Sequence, residues 1–244
     1  MAIIGNALSV LALKATIHVT TKPGATVKFS KGGVDVATLT ADSSGNCDYN
    51  VLIPNFGTWT VSGTSGDASG TATVDVSDIV TYNVDCVLKL WFVQNGNFST
   101  GFSHSVVGNG SGFYDDGDYV LLHSLTTGHS WQNAAGYFTP SVNFDDGYWK
   151  NLVIDSQEYA NPAACGLVSS VPPNASPSFT VYSTLNTRNT SFSTRHTTNT
   201  NVSAQTGDLY VAARASCWTD EDQYGNIRGW YGGRVRIYNL YLTG

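Results

Sequence analysis

The closing run of the chain, Arg234-Val235-Arg236-Ile237-Tyr238-Asn239-Leu240-Tyr241-Leu242, alternates almost residue by residue between apolar and polar side chains. A period of two fits a β-strand, whose successive side chains point to opposite faces, and does not fit a helix. The same signature recurs from the other end. Ala15-Thr16-Ile17-His18-Val19-Thr20-Thr21 alternates, and Lys22-Pro23-Gly24 then turns the chain. Thr26-Val27-Lys28-Phe29-Ser30 alternates again, and Lys31-Gly32-Gly33 is a hairpin signal. Further strands are predicted over residues 34–40, 47–53, 58–62, 71–76 and 79–90, with turns at 41–46 and at Pro54-Asn55-Phe56-Gly57. Short strands at such regular spacing predict a small β-sandwich.

Composition supports the same class. Charged residues are 12% of the 244, about half the usual share. Ser, Thr, Asn and Gly take their place. Long amphipathic helices need Glu, Lys and Arg on their solvent faces, whereas sheets tolerate Thr-rich outer faces. Thirteen Tyr, ten Phe and six Trp predict packed cores rather than disorder.

The second part of the chain predicts a larger sandwich. Strands are expected at 118–123, 148–155, 179–182, 207–213 and 234–242, with Pro172-Pro173-Asn174-Ala175-Ser176-Pro177 as a surface loop. The tract 184–201, rich in Thr, Asn and Ser, is expected to form exposed strands. The expected organisation is an apolar N-terminal arm over 1–14, one sandwich over 15–90 and another over 91–244. The arm lacks the basic segment that precedes a signal peptide's apolar run, so it is read as a mature arm or first strand; with no obvious partner inside a small sandwich, it could be an assembly contact.

The run Ile53-Pro54-Asn55-Phe56-Gly57-Thr58-Trp59-Thr60-Val61-Ser62-Gly63-Thr64 resembles small Ig-like or carboxypeptidase-regulatory-like domains. Such domains are frequent in phage and prophage structural proteins. The resemblance covers residues 15–90, implies an Ig-like fold with Trp59 anchoring the core, and brings no active site. Thr206-Gly207-Asp208-Leu209-Tyr210-Val211 and the closing Ile237-Tyr238-Asn239-Leu240-Tyr241-Leu242 resemble jelly-roll modules of galactose-binding-like and carbohydrate-binding type. The fold expected is therefore all-β, an Ig-like sandwich followed by a jelly roll.

The net charge is −6 and the sequence holds no Lys/Arg cluster, which argues against nucleic acid and anionic membrane as partners. No stretch approaches the length of a membrane span. Cys47, Cys86, Cys165 and Cys217 form no C-x-x-C pair. They are expected as free thiols, although one disulfide in each half is conceivable. The five His show no metal-ligand spacing, and no hydrolase, Walker or dinucleotide motif occurs. His123 and His129 with Cys165 are only a remote nucleophile pair, and no catalytic residues are expected.

Two places carry chemistry. Asp115, Asp116 and Asp118 could donate oxygens to a structural Ca²⁺, although Asp-Gly is foremost a turn signal. The segment from Trp218 to Tyr231 combines aromatic rings with Asp220, Asp222, Tyr224 and Arg228, and Trp230 sits beside Tyr231. Sugars stack their C–H faces on rings and offer hydroxyls to such polar groups. The alternative is that Trp218, Trp230 and Tyr231 simply pack the sandwich. The leading expectation is a non-enzymatic phage virion protein, a capsid decoration, head fibre or tail component. It would assemble in the host cytoplasm, form a homo-oligomer, contact other virion proteins through its N-terminal region and attach to host glycan through its C-terminal domain. The alternative expectation is a carbohydrate-binding module or adhesin of a bacterial surface protein.

Overall fold

The computed structural model describes residues 13–108, 111–124, 133–159, 161–171, 176–185, 191–221, 223–224 and 227–244; at 161, 162, 218–221 and 227–231 it describes the backbone only. The chain is all-β. Among the described residues every element except one 3-10 turn, Ile53–Asn55, is a strand. The chain divides into two compact units between Leu88 and Lys89. Most of the expected arm, residues 1–12, lies outside the described residues.

The first unit holds β1 (Lys14–Thr20), β2 (Thr26–Lys31), β3 (Val34–Thr40), β4 (Asn46–Leu52), β5 (Gly57–Ser65), β6 (Ala68–Val76) and β7 (Thr81–Asp85). β1 runs antiparallel to β4 and parallel to β7. Across from this trio, β6, β5, β2 and β3 pair in that order, all antiparallel. Period-two alternation buries Ile17 and Val19 from one sheet, and Val27, Phe29, Trp59 and Val61 from the other. Tyr49 of β4 joins the layers. Its ring stacks on Phe29 at 4.8 Å and lies 5.3 Å from Trp59. Trp59 is 1% exposed, and its Nε1 donates to the Asn55 carbonyl at 3.1 Å. A buried indole thus keeps a partner for its one polar atom.

One strand differs from expectation. The run 79–90 is not continuous, because β7 ends at Asp85, opposite the last residue of its partner β1, Thr20. Beyond that point the chain is tied by the Cys86 N–H to the Thr20 carbonyl and by the Thr21 hydroxyl to the Cys86 carbonyl. Cys86 and Leu88 remain fully buried. The alternation therefore continues after the ladder has lost its partner.

The second unit holds β8 (Lys89–Gln94), β9 (Asn97–Phe98), β10 (Ser103–Val107), β11 (Gly112–Asp115), β12 (Val120–His123), β13 (Ala134–Thr139), β14 (Val142–Asn143) and β15 (Asn151–Tyr159). It continues with β16 (Asn161–Val168), β17 (Val181–Thr184), β18 (His196–Asn201), β19 (Asp208–Ser216), β20 (Trp218–Glu221), β21 (Ile227–Tyr231) and β22 (Arg234–Thr243). β22 is the central strand of the front sheet. β15 flanks it along one side, with β18 beyond, and β12 and β8 share its other side. The back sheet runs β10-β13-β19-β16-β17. Between the sheets lie Phe92, Leu122, Ile154, Ile237, Leu240 and Leu242 from the front, with Phe138, Leu167, Val211 and Ala213 from the back. Phe92 meets Phe138 across the gap at 5.3 Å.

Of the polar tract 184–201, residues 196–201 form β18, on which Thr197, Asn199 and Asn201 are exposed; residues 186–190 lie outside the described residues, as do 172–175 of the proline-rich loop. All four cysteines are free thiols.

Candidate functional site

The residues singled out in the sequence fall on two hairpins. Trp218 and Asp220 lie on β20; Arg228, Trp230 and Tyr231 lie on β21. What looked like a loop is an antiparallel pair. Its register sets Trp218 opposite Tyr231, Thr219 opposite Trp230 and Asp220 opposite Gly229, with an irregularity after Asp220. Tyr224 occupies the connection and is 80% exposed, while Asp222 lies outside the described residues.

Asp115, Asp116 and Asp118 shape the β11–β12 hairpin. Asp115 Oδ1 accepts the Gly117 N–H at 2.9 Å, and the Asp116 N–H donates to the Tyr119 carbonyl at 2.9 Å. Gly117 turns the chain at φ +88, where a side chain would be strained. The Asp116 carboxylate accepts the Tyr119 hydroxyl, which raises the phenol's pKa. Among the described residues no three His, Cys, Asp or Glu side chains gather into a group that could hold a metal ion. The Asp115 and Asp116 carboxylates thus accept from the turn's own N–H and phenol groups. Cys165 is 1% exposed, and burial pushes its thiol up to about 12. It stays protonated, so it offers no nucleophile to pair with His123, and His129 lies outside the described residues.

A larger constellation covers the outer face of the front sheet, and the sequence reading missed it. The same alternation that buries Val235, Ile237, Leu240 and Leu242 turns Arg234, Arg236, Tyr238 and Tyr241 outward. On β15 it turns out Asp155, Gln157 and Tyr159. The register sets Tyr159 against Arg234, Gln157 against Arg236 and Asp155 against Asn239. On the other side His123 stands opposite Arg234 and Leu121 opposite Arg236. At the far end Trp91 of β8 pairs with Tyr241.

These side chains hold one another. The Arg195 guanidinium lies 3.9 Å over the Tyr238 ring and forks onto Asp155 at 2.9 and 2.5 Å. Those bonds to Arg195 hold the Asp155 carboxyl below the usual carboxylate range. Asn239 donates to Asp155 at 3.1 Å, and the Tyr238 hydroxyl donates to Gln157 Oε1 at 2.6 Å. Gln157 in turn donates to the Ser193 carbonyl. Arg236 lies 3.7 Å from the Phe192 ring centre and 4.6 Å from that of Tyr119. Trp91 and Tyr241 meet at 4.5 Å, with Lys89 Nζ 4.8 Å from the Tyr241 ring. The face therefore presents rings, guanidinium groups, amides and one carboxylate over ten residues of β22, roughly 30 Å at a strand's rise per residue. It also gathers four of the chain's twelve Lys and Arg residues, Lys89, Arg195, Arg234 and Arg236. This clustering was invisible along the chain.

No family model matches the chain, and no curated protein matches it. Among solved structures it is similar to a carbohydrate-binding module of family 29, at 12% identity over 64% of this chain and 88% of that one, with a TM-score of 0.39. A variant of the family 29 module CBM29-2, complexed with cellulohexaose, matches at 14% identity over 64% of this chain and 91% of that one, with a TM-score of 0.39. The family 29 module CBM29_1 from Piromyces equi matches at 11% over 65% and 91%, also at 0.39. At that identity and superposition the likeness does not extend to this chain's ligand.

Proposed function

We propose that the second unit is a non-catalytic carbohydrate-binding module that holds a glycan along the outer face of β22, β15, β12 and β8. The observation that carries this reading is the prearranged state of that face. Arg195, Asp155 and Asn239 are hydrogen-bonded to one another, Gln157 holds the Tyr238 hydroxyl, the Arg195 guanidinium over the Tyr238 ring joins the two groups, and Trp91 with Tyr241 forms a second aromatic patch. A sugar chain needs flat C–H contacts and fixed donors and acceptors for its hydroxyls. Groups ordered before binding lose little entropy on binding. Each hydroxyl contact replaces a water contact of similar strength, so affinity at one site is modest. Copies displayed together would gain by effective concentration. Glycan binding belongs to both sequence expectations; a carbohydrate-binding module needs nothing beyond this face, whereas a virion role would need assembly contacts that this face does not supply.

The test is binding of the full chain to a broad panel of immobilised polysaccharides, beside Trp91→Ala and Tyr238→Ala variants. Each variant is expected to weaken binding about tenfold, the factor that corresponds to roughly 1.4 kcal/mol, with an unchanged melting temperature. Absence of binding to every polysaccharide at any density, or variants that bind as the parent does, would overturn the reading.

A further inference from the structure

Resting on the carbohydrate-binding reading, we infer that the glycan is an acidic one, with a carboxylate or sulfate group seated at Arg234 and Arg236 of β22. The cations of this face are not equivalent. Arg195 already has its counter-ion in Asp155. Arg234 and Arg236 have rings instead: Arg234 lies 5.6 Å from the Tyr159 ring centre, and Arg236 sits against Phe192 and Tyr119. Among the described residues neither makes an ion pair with a carboxylate. Two positions apart on one strand, they point to the same face, roughly 6.6 Å apart along the backbone.

The carboxylates nearby are committed elsewhere. Asp155 is held by Arg195 and Asn239, and Asp116 accepts the Tyr119 hydroxyl. Glu158 is fully buried on the opposite, inner side of β15. The Arg236 Nε is buried without a hydrogen-bond acceptor, so the guanidinium spends little of its hydrogen-bonding capacity inside the protein. A ligand oxygen meeting the edge of a guanidinium group, in its plane, would supply an acceptor of the right charge, and planar, in-plane recognition of an anion is what guanidinium does best. His123, opposite Arg234, is held below the ordinary histidine value, first by burial and then by the Arg234 charge, consistent with an uncompensated positive field.

A polyphosphate backbone is the competing anion. Gripping it takes a continuous series of cations. Here two free guanidinium groups stand beside amides, a carboxylate and phenols, which suits one anionic substituent among many hydroxyls.

The experiment uses the full chain on matched pairs: galacturonan, mannuronan and hyaluronan, each beside its carboxyl-reduced form, and a sulfated glycosaminoglycan beside its desulfated form. A single-stranded oligonucleotide of equal charge is included. The inference expects at least one acidic member to bind tenfold or more tighter than its neutral partner, with the preference shrinking as salt is raised. Arg234→Gln, an exposed position, and Arg236→Gln should each erase most of that preference, read as the ratio of acidic to neutral binding within each pair. Arg236→Lys should restore part of it. Equal binding within every pair, or a preference that survives both Gln variants, overturns the acidic assignment and leaves the carbohydrate reading standing. Tighter binding of the oligonucleotide overturns it in favour of nucleic acid. No binding to any glycan, acidic or neutral, removes the carbohydrate reading itself.

Discussion

Glu158 has no solvent exposure, yet it sits on the inner face of a β-sandwich. Its carboxyl group is accommodated there because it is surrounded by hydrogen-bonding side chains. The Ser193 hydroxyl donates to Oε2 at 2.9 Å, the Ser156 hydroxyl donates to Oε1, and His196 Nε2 lies 3.7 Å from Oε2. The backbone closes the group, with the Ser193 N–H on the Glu158 carbonyl at 2.8 Å and the Glu158 N–H on the Ser193 hydroxyl at 3.0 Å. A buried polar group with full partners is tolerated, whereas removing one side leaves the other stranded. Glu158→Ala is therefore expected to cost on the order of 3 kcal/mol, from the hydroxyl donors it leaves unsatisfied, and Glu158→Gln, which keeps the shape and two polar atoms, on the order of 1 kcal/mol. Urea unfolding of the full chain, followed through the tryptophans, measures both. An Ala variant as stable as the parent would show that the cluster ties nothing together. This residue also explains a misplaced strand end. The sequence pattern stops β15 at Asp155 because an inward glutamate breaks the apolar–polar rule; the strand runs on to Tyr159. Trp59, by contrast, was legible, since an indole two residues after a Pro-Asn-Phe-Gly turn in an alternating run had one inner face to occupy.

At the scale of elements, alternation located strands well and their partners hardly at all. β2 and β3 were readable to within a residue, because Lys31-Gly32-Gly33 fixes a hairpin between them. The functional face was unreadable for the opposite reason. Tyr119, Asp155, Gln157, Phe192, Arg195 and Arg236 come from four separate stretches, brought together by the β12–β22–β15 register, by β18 beside β15 and by the Ser193 bonds to Glu158. One signal was nonetheless present. The outward half of the closing alternation is Arg234, Arg236, Tyr238 and Tyr241, a choice of side chains far richer than a Thr-faced sheet requires. A second element-level constraint was hidden in a glycine. Gly70 of β6 lies beneath the segment that leaves β7, and a Cβ there would stand 2.1 Å from the Val87 carbonyl oxygen. At Gly63 of β5 the nearest atom would be the Leu88 side chain, at 2.8 Å. Backbone cannot give way as a leucine methyl can. Gly70→Ala is expected to cost about 1–3 kcal/mol through overpacking, and Gly63→Ala clearly less. Thermal melts of the two variants check this. The reverse order would show that the Val87 backbone moves more easily than the Leu88 side chain.

At the scale of the whole molecule, charge and cores divide the labour. The net charge of −6 is a sum over a chain that places four of its twelve basic residues on one sheet face. Averages over the sequence excluded a basic protein and said nothing of a local basic surface. Each unit has a core of its own. Ile17, Phe29 and Trp59 fill the first unit; Phe92, Phe138, Ile154 and Ile237 fill the second. Both units fall within the ordinary range of domain size. Residues 1–88 and 89–244, expressed apart, are therefore expected each to unfold cooperatively, with stabilities of order 0.05–0.15 kcal/mol per residue. Every group named for glycan binding belongs to the second unit. The 89–244 piece should thus retain the full chain's affinity for the best-bound polysaccharide, and the 1–88 piece should bind none. If 89–244 folds, with a cooperative melt, but loses most of the affinity, the first unit contributes to the site and the outer face of the front sheet is not the whole binding surface.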